Sequence, residues 1–412
     1  MRIIICGAGI GGLTLAHALR GQADVVLLEQ DAHAAATAGY RISINHEACG
    51  ALGRILPTAL VEELRSVSDT EQAFRQFTVA DQRLRPIAVA PEAEGTDRIL
   101  AQRQVLRVLL ARDLHHLVRF GATVRTVAED GNGAAVTVAD GSVIEGDLVV
   151  GADGAGSAVV ASLPGQPPAR DLGLTGIAGW SPLGSRFGSP GAPTYLGAGP
   201  ALAFGPDGTG VFLSLYGPPS RPVSSAHTAT VPSGPALIWG TIARSDRLAD
   251  TRNAPPEVFI QQALGLLGRW SPWLEQHVAA SDPALTEAFR FRAADPSGPL
   301  AGWTPGRVTA LGDAVHAMPP TGGRGASTAI CDAADLAAAL RRHLGGRPLS
   351  AELAAYQRTI VPRARSAIRE SLGPVRIINT LRHRPLQLLA RPLLGAAGAL
   401  GARRYGQRQW QV

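Results

Sequence analysis

Lysine is absent from this 412-residue sequence, and cysteine is scarce. All 39 basic residues are arginines, so the net charge of +6 reflects arginine usage more than a specialised basic surface. No basic run is interleaved with aromatic residues, which argues against nucleic-acid binding. The three cysteines are isolated, so we expect neither a disulfide framework nor a cysteine metal site, and we expect the protein in the cytoplasm.

Long apolar runs are missing as well, since no uninterrupted stretch reaches the ~18 residues that a membrane-spanning helix requires. What remains is a globular composition, in which 45% of the residues are hydrophobic and 17% are charged. A chain of this length can form two or three domain-sized units. We therefore expect a multidomain globular protein without a transmembrane segment.

The first thirty residues carry the strongest pattern in the chain. The apolar run Arg2–Cys6 predicts a buried parallel strand, and apolar residues at helical spacing follow it. Three glycines between the strand and the helix complete the pattern G-x-G-x-x-G: Gly7, Gly9 and Gly12. They permit a tight turn, close approach of a pyrophosphate and close packing of helix on strand. The helix start supplies free N–H groups, and Glu29 ends the next strand where it can bind a ribose, so the pattern predicts dinucleotide binding.

Two arginines are candidates for contact with a bound anion. Arg103 falls in the first turn of a predicted helix, which is the wrong end for a cation that merely complements the helix dipole. An anion in front of the helix explains it better. Arg41 lies in a loop of small residues, where it either reaches a cofactor or is simply solvated.

Two further strands end in an aspartate followed by a turn. Residues 146–154 read G-D-L-V-V-G-A-D-G and place Asp153 at the carboxyl edge of the sheet, where ligands of α/β sheets bind. Residues 312–320 read G-D-A-V-H-A-M-P-P, and a glycine-rich turn near Gly323 then opens a long helix. Asp313 can bind polyol hydroxyls, and the helix start can stabilise negative charge. No second ligand stands at a usable spacing from His316, so no metal site is expected.

The middle of the chain has a different texture. From residue 171 to residue 241 proline and glycine are dense and short β-like runs replace helical periodicity. We expect a separate β-rich layer whose aromatic residues lie mostly in its core, with some facing a ligand. The candidates for substrate contact are Phe212, Tyr216 and Trp239.

The C-terminal part is predicted to be helical. Residues 349–372 form an amphipathic pattern, and residues 377–400 are apolar with Pro385 and Pro392 as breaks. Two short helices that bridge the domains are favoured there, and an interfacial membrane role is the alternative.

Taken together, the three motifs at residues 7–12, 146–154 and 312–320 resemble those of the FAD-dependent aromatic hydroxylases, the p-hydroxybenzoate hydroxylase-like flavoprotein monooxygenases. The resemblance covers about residues 1–370. It implies an α/β fold with a glutathione-reductase-like, Rossmann-type FAD domain in three segments, 1–70, 98–170 and 286–372. It further implies an inserted β-sheet substrate domain, 71–97 and 171–285, followed by C-terminal helices over 373–412.

The resemblance also implies roles for individual residues. Glu29 would bind the adenosine ribose, Arg103 the pyrophosphate side and Asp313 the ribitol chain. Asp153 would serve both FAD and a passing nicotinamide nucleotide, and the helix start would face the flavin. The complete set of expected cofactor-binding residues is Gly7, Gly9, Ile10, Gly12, Glu29, Arg41, Arg103, Asp153, Asp313, Pro320, Gly323, Gly325 and Ala326.

The activity that follows from the resemblance is hydroxylation of an aromatic or polyketide-like small molecule. NAD(P)H and O2 would be consumed through a flavin C4a-hydroperoxide, and no residue is singled out as catalytic. We expect a monomer or homodimer of specialised bacterial metabolism.

Two departures from the family pattern stand out. The arginine that the family usually has shortly after the serine that is Ser157 here is missing from residues 158–160, and Arg324 and Ser327 replace the usual Gln and Asn. The first departure keeps open a redox-neutral cyclase that retains FAD as a scaffold. A flavin halogenase is less favoured because Trp239 has no tryptophan partner, and a non-enzymatic flavin-binding protein is the remaining alternative.

Overall fold

The computed structural model divides the chain into two compact units. The first comprises residues 1–68, 101–170 and 292–372, and the second comprises 69–100, 171–291 and 373–412. The structure describes residues 1–37, 39–69, 73–92, 97–184, 191–217, 234–249, 254–381 and 384–405. The predicted domain boundary at 70/71 and the last residues of the predicted C-terminal segment, 406–412, lie outside the described residues.

Strands and helices are mixed through the first 160 residues, and the strands β12 to β15 follow without an α-helix among the described residues between them. The strands are β1 Arg2–Cys6, β2 Asp24–Glu29, β3 Arg41–Ile44, β4 Gln76–Asp81, β5 Pro86–Pro91, β6 Ile99–Gln102, β7 Val118–Phe120, β8 Val124–Glu129, β9 Ala134–Val138, β10 Val143–Gly146, β11 Leu148–Gly151, β12 Arg170–Pro182, β13 Ala201–Phe204, β14 Gly210–Tyr216, β15 Ala236–Arg244, β16 Glu287–Ala293 and β17 Val308–Ala310. The α-helices are α1 Ile10–Leu19, α2 His46–Ile55, α3 Thr58–Ser66, α4 Arg103–Arg112, α5 Ala158–Ala161, α6 Pro256–Leu267, α7 Pro272–Ala279, α8 Asp313–His316, α9 Gly325–Leu344, α10 Leu349–Thr380 and α11 Arg384–Tyr405.

A five-stranded parallel sheet organises the first unit, in the order β17-β11-β1-β2-β7. β1 lies at its centre. Ile3, Ile4 and Ile5 have no exposed surface, as a strand covered on both faces requires. Helix α1 packs against α9, and α2 packs against α9 as well. The predicted α/β fold class is confirmed, and the strand at Arg2–Cys6 has the predicted bounds.

The sequence predicts a meander of three strands at residues 122–129, 134–139 and 142–150, and the structure forms it with one correction. β8, β9 and β10 pair antiparallel, but the third strand predicted at 142–150 is two strands. β10 pairs with β9, whereas β11 pairs parallel with β1. The break falls at Asp147, which exchanges hydrogen bonds with the backbone of Arg2, since one extended strand cannot follow both sheets.

A seven-stranded sheet organises the second unit, in the order β16-β12-β15-β14-β13-β4-β5. The short β-like runs of the sequence fall at residues 201–204, 211–216 and 237–242, and in the structure they form β13, β14 and β15. The long strand β12 was not predicted. Helices α6 and α7 share a core with this sheet, in which Trp239, Leu267 and Leu274 have no exposed surface.

The two C-terminal helices are longer than predicted. Helix α10 continues to Thr380, and α11 runs from Arg384 to Tyr405 with Pro392 inside it, so the predicted break at Pro392 is wrong. Packing of α11 on β4 and β5 holds the helix together across the missing backbone N–H of the proline. Among the described residues, no helix combines the length and the hydropathy that crossing a bilayer would need.

Candidate functional site

The glycine-rich turn after β1 has room for a side chain at only one of its three motif positions. Gly7 has φ +109°, and a Cβ atom there would collide with the carbonyl oxygen of Ala152. A Cβ atom on Gly12 would collide with the carbonyl oxygen of Gly7. In contrast, nothing lies within 4 Å of the position that a Cβ atom on Gly9 would take. The turn therefore faces open space beside Gly9, where a ligand can approach the backbone.

Helix α1 presents an uncapped N-terminus to this space. Its N-cap residue is Gly9, which has no side chain to accept a hydrogen bond, and its first turn, which begins at Ile10, holds no acidic residue. The free N–H groups and the dipole of the helix thus point at whatever binds there. An open cradle with donors and no competing carboxylate fits the pyrophosphate of a dinucleotide.

Glu29 ends β2 as predicted, and its buried carboxylate is already held by protein groups. Oε2 accepts a hydrogen bond from the backbone N–H of Ala8 at 2.7 Å, and Oε1 accepts one from Asp31 N–H at 2.9 Å. The guanidinium of Arg107 lies 2.9 Å from Oε2. The carboxylate therefore braces the glycine-rich turn, and its predicted contact with a ribose stays a prediction.

Arg107 is a residue of the candidate site that the sequence analysis missed. Its Nε donates to the carbonyl oxygen of Ala8 at 2.8 Å, and its Nη1 binds the Asp31 carboxylate at 2.6 Å. It lies four residues after Arg103 on helix α4. This spacing puts both arginines on one face of the helix. It was the feature of the sequence from which Arg107 could have been predicted together with Arg103.

Arg103 begins α4, as the sequence predicted, and packs closely on another part of the site. Its backbone N–H donates to the carbonyl oxygen of Tyr40 at 2.9 Å. Gly39, with φ +109°, lies against its side chain, because a Cβ atom there would come within 2.9 Å of the Arg103 Cδ. Arg41 is half-buried at the start of β3. Both arginines remain predicted cofactor contacts.

Asp153 lies two residues after the end of β11, and its carboxylate caps the short helix α5. It accepts hydrogen bonds from the Ser157 hydroxyl at 2.5 Å and from the N–H groups of Ala158 at 2.8 Å and Val159 at 3.3 Å. Burial raises the pKa of Asp153 above its ordinary value, although these hydrogen bonds oppose the shift. Its predicted double role toward FAD and a nicotinamide is untested, and the capping bonds occupy both of its oxygens.

Asp313 begins α8 and is accessible to solvent. The surrounding protein nevertheless raises its pKa by desolvation, while the charges of His316 and Arg103 pull that pKa down. A Cβ atom on Gly325 would lie 3.6 Å from Oδ1 of this carboxylate. An accessible yet closely surrounded carboxylate is well placed to exchange water for the hydroxyl groups of a polyol, which fits the predicted ribitol contact.

The start of α9 carries the remaining residues that are predicted to surround the flavin. Pro320 opens a short 3-10 turn, and Gly323 has φ +61° with open space where a Cβ would stand. Helix α9 then begins at Gly325 and Ala326, without a side-chain cap or an acid in its first turn. Arg324, which departs from the family pattern, pairs with Glu370 at 3.3 Å. This second free helix start fits a ligand group that carries negative charge.

A buried ionic network supports the turn that carries Asp313. His316 Nε2 lies 2.5 Å from Oδ2 of Asp332, which also accepts the Gly312 N–H at 3.1 Å, and Arg363 binds Oδ1 at 2.9 Å. Burial alone lowers the pKa of His316, but the charge and hydrogen bond of Asp332 raise it above its ordinary value. The carboxylate of Asp332 and the ring of His316 thus fix the backbone just before Asp313. Within the described residues, no cluster of side chains could hold a metal ion.

The three candidate substrate contacts lie on neighbouring strands of the second unit. Phe212 is half-buried on β14, and Tyr216 ends that strand with its ring 5.0 Å from the ring of Trp180, edge to face. Trp239 has no exposed surface, and its indole N–H donates to the Ser281 hydroxyl at 2.8 Å. Trp239 is thus a core residue here, and contact of any of the three with a substrate stays a prediction.

The sequence matches the model of the FAD binding domain family over residues 1–180 and 277–371, more than half of the chain. The chain belongs to this FAD-binding family of flavoprotein monooxygenases. The predicted family and the predicted FAD cofactor are therefore confirmed, and the chain is an FAD-dependent oxidoreductase.

Curated relatives and a solved structure are also named as FAD-dependent or FAD-containing monooxygenases or hydroxylases. The dual O-methyltransferase/FAD-dependent monooxygenase elcB of Phaeosphaeria nodorum is 29% identical over 379 residues, which cover 81% of this chain and 39% of that protein. The chain thus spans less than half of this relative's length. The FAD-dependent urate hydroxylase of Klebsiella pneumoniae is 28% identical over 380 residues, 89% of this chain and 88% of that protein. A Photorhabdus luminescens crystal structure, assigned as an FAD-containing monooxygenase, superposes with a TM-score of 0.75 at 26% identity and covers 93% and 98% of the two chains.

Proposed function

We propose that this protein is a monooxygenase that hydroxylates an aromatic or polyketide-like small molecule and consumes NAD(P)H and O2. The observation that carries the proposal is the open space at Gly9 in front of the uncapped start of α1, in a chain of the FAD-binding family. The relative named a urate hydroxylase matches almost the full length of this chain, which supports hydroxylation of a small heteroaromatic compound as one form of the reaction.

In this proposal the residues of the first unit bind and orient FAD. The N–H groups at the start of α1 hold the pyrophosphate, Asp313 holds the ribitol hydroxyls, and the start of α9 faces the charged edge of the flavin. Bound FAD supplies the acceptance of electrons from NAD(P)H and the activation of O2. The protein contributes position and electrostatics.

The substrate is assigned to the second unit because its sheet carries the aromatic side chains. Trp180 and Tyr216 stack edge to face, and Phe212 is half-buried on the neighbouring part of β14. Flat apolar rings of this kind bind flat apolar substrates. We assign no catalytic base among the described side chains near these rings. In this proposal the specificity for the substrate therefore comes from the geometry of binding.

Isotope incorporation tests the reaction directly. The purified protein with FAD is incubated with NADPH or NADH, 18O2 and a panel of phenolic and heteroaromatic compounds, and products are analysed by mass spectrometry. The expected result is a product heavier by one 18O atom, formed together with nicotinamide oxidation. A compound that binds is identified because it makes the flavin bleach faster. If nicotinamide oxidation yields only hydrogen peroxide with that compound and with every other compound of the panel, the proposal is contradicted.

A variant pair tests the cofactor site separately from the reaction. A Cβ atom at Gly9 has no protein atom within 4 Å, so the valine of Gly9→Val projects into the open space in front of α1, and FAD affinity should fall at least about 100-fold while the protein stays folded. Gly53→Val is the matched control, because Gly53 also has open space around its Cβ position but lies in α2. Flavin fluorescence titration measures both affinities. Full FAD occupancy in Gly9→Val would refute this site.

A redox-neutral cyclase is a second candidate, and Asp153 favours it. The Asp153 carboxylate is engaged in capping α5, and residues 158–160 directly after Ser157 include no arginine, so the expected arginine of the nicotinamide contact is missing. Anaerobic titration with NADPH distinguishes the two candidates. Flavin that bleaches supports the monooxygenase, whereas product formation without NAD(P)H supports the cyclase. A cytoplasmic location and a monomeric or homodimeric state also stay predictions.

A further inference from the structure

Helix α11 exposes a face of apolar residues between positions 385 and 400. Between residues 385 and 400, every exposed side chain that the structure describes on this helix is a leucine, alanine or proline: Pro385, Leu386, Leu388, Pro392, Leu393, Ala396, Ala399 and Leu400. At 100° per residue these positions form one continuous arc of about 160° around the helix. Leu388, Leu393 and Leu400 are 65–70% exposed. We call these eight residues the α11 outer face.

The opposite side of α11 is anchored to the sheet of the second unit. Ala390 is buried, and Gly398 lies so close to the Asp81 carboxylate that a Cβ atom there would overlap it. The Arg85 guanidinium donates to the Gly395 carbonyl oxygen at 3.1 Å. The helix is therefore held in one orientation, and the leucines are presented outward by the fold.

The charge of this part of the chain is of one sign. Residues 371–412 contain seven arginines and no aspartate or glutamate, whereas the rest of the chain has 32 arginines against 33 acidic residues. The whole positive excess of the protein thus belongs to the last 42 residues. One of these arginines, Arg376, is exposed beside the exposed Ile377 on α10.

The combination selects among possible partners. A second copy of this chain would satisfy the leucines but would bring two segments of the same strong positive charge together. An anionic bilayer surface satisfies both features, because leucines enter the boundary of the acyl chains while arginines pair with lipid phosphates. The same helix is not apolar enough to cross the bilayer, which leaves an orientation in the plane of the interface.

We propose that the α11 outer face binds the surface of membranes that contain anionic lipids. Large exposed apolar patches mark interaction sites, and the positive charge of this part of the sequence adds an attraction that salt weakens. This inference does not depend on the reaction that the enzyme catalyses.

The test is cosedimentation of the FAD-loaded protein with vesicles. Vesicles of phosphatidylcholine with 30 mol% phosphatidylglycerol are compared with vesicles of phosphatidylcholine alone, at about 0.1 M and 0.5 M NaCl. The expected result is binding to the anionic vesicles that exceeds binding to the neutral ones and decreases at high salt. Equal binding to both vesicle types, or no binding to either, would overturn the proposal.

Two variants assign the binding to the helix. Leu386→Gln combined with Leu393→Gln keeps the net charge and should weaken partitioning at least about tenfold, because two leucine side chains no longer leave water. Val143→Gln is the control, since Val143 is an apolar residue of the first unit whose exposure, 59%, lies between those of Leu386 and Leu393, and this variant should bind as the unmodified protein does. Unchanged binding by the double variant would overturn the proposal. The proposal would also be overturned if light scattering showed that the unmodified protein is a dimer and the double variant a monomer, while neither protein bound vesicles.

Discussion

The buried carboxylate of Glu29 shows how one residue joins the first strands to the glycine-rich turn. Glu29 and the guanidinium of Arg107 are each less than a tenth exposed, and Arg107 also binds the backbone of Ala8 and the carboxylate of Asp31. An arginine suits this position because its planar group donates to three acceptors at once. Removing it would leave a buried carboxylate without a countercharge, which is far more damaging than removing an exposed ion pair.

We therefore expect Arg107→Ala to lower the free energy of unfolding by about 3–5 kcal/mol. The matched control is Arg112→Ala on the same helix, where the arginine is 49% exposed and pairs with Glu63, so its loss should change the free energy by less than about 1 kcal/mol. Urea unfolding of the FAD-free proteins, followed by circular dichroism, measures both. Equal effects of the two substitutions would show that the Glu29 carboxylate needs no partner.

At the residue scale, sequence predicted what depends on local geometry. Gly7 and Gly12 were predictable because a turn between a strand and a helix leaves no room for a Cβ atom. The position of Arg103 at the start of α4 was predictable as well, whereas its contact with a pyrophosphate stays a prediction. Asp332 was not, because nothing near it in sequence indicates that it contacts His316, 16 residues away, in a buried pair. Such partners are set by packing between elements.

At the scale of elements, β12 is the informative miss. Glycine at positions 173, 176 and 179 lowers the β-propensity of this stretch, so the sequence does not favour a strand there. In the structure Gly176 lies under the ring of Phe289 and Gly179 under the ring of Trp239. The aromatic rings of neighbouring strands occupy the space that side chains of β12 would otherwise fill. Only the folded sheet reveals this complementarity, whereas β13–β15 follow from their apolar and aromatic runs.

Gly179→Ala should therefore destabilise the second unit by about 1–3 kcal/mol, because the new Cβ would lie 2.7 Å from Trp239 Cζ2 and 2.8 Å from Thr286 Oγ1. Gly240→Ala on the neighbouring strand β15 is the control. Its Cβ would lie 3.4 Å from Ala178 Cβ, an ordinary contact, so we expect a change within about 1 kcal/mol in either direction. Urea denaturation monitored by tryptophan fluorescence compares them. If Gly179→Ala were as stable as the control, close packing would not explain the glycines of β12.

At the scale of the whole molecule, the FAD-binding family match falls in two stretches, 1–180 and 277–371, separated by nearly a hundred residues. The candidate cofactor residues accordingly come from distant parts of the chain, from Gly9 near the start to Asp313 and Gly325. These residues come together only in the folded protein, so the unfolded chain cannot offer the same site. A ligand that binds the native state alone stabilises it by mass action.

Removal of FAD should therefore lower the thermal midpoint of unfolding, and adding it back should restore the midpoint in a concentration-dependent way. At a free FAD concentration of 100 times Kd the native state gains about 2.7 kcal/mol. Differential scanning calorimetry over a series of FAD concentrations measures this gain. Gly53→Val should respond as the unmodified protein does, whereas Gly9→Val should unfold at one midpoint throughout the series, because its filled cradle excludes the pyrophosphate. A midpoint of Gly9→Val that rises with FAD in parallel with that of Gly53→Val would mean that the cofactor is held somewhere other than the start of α1.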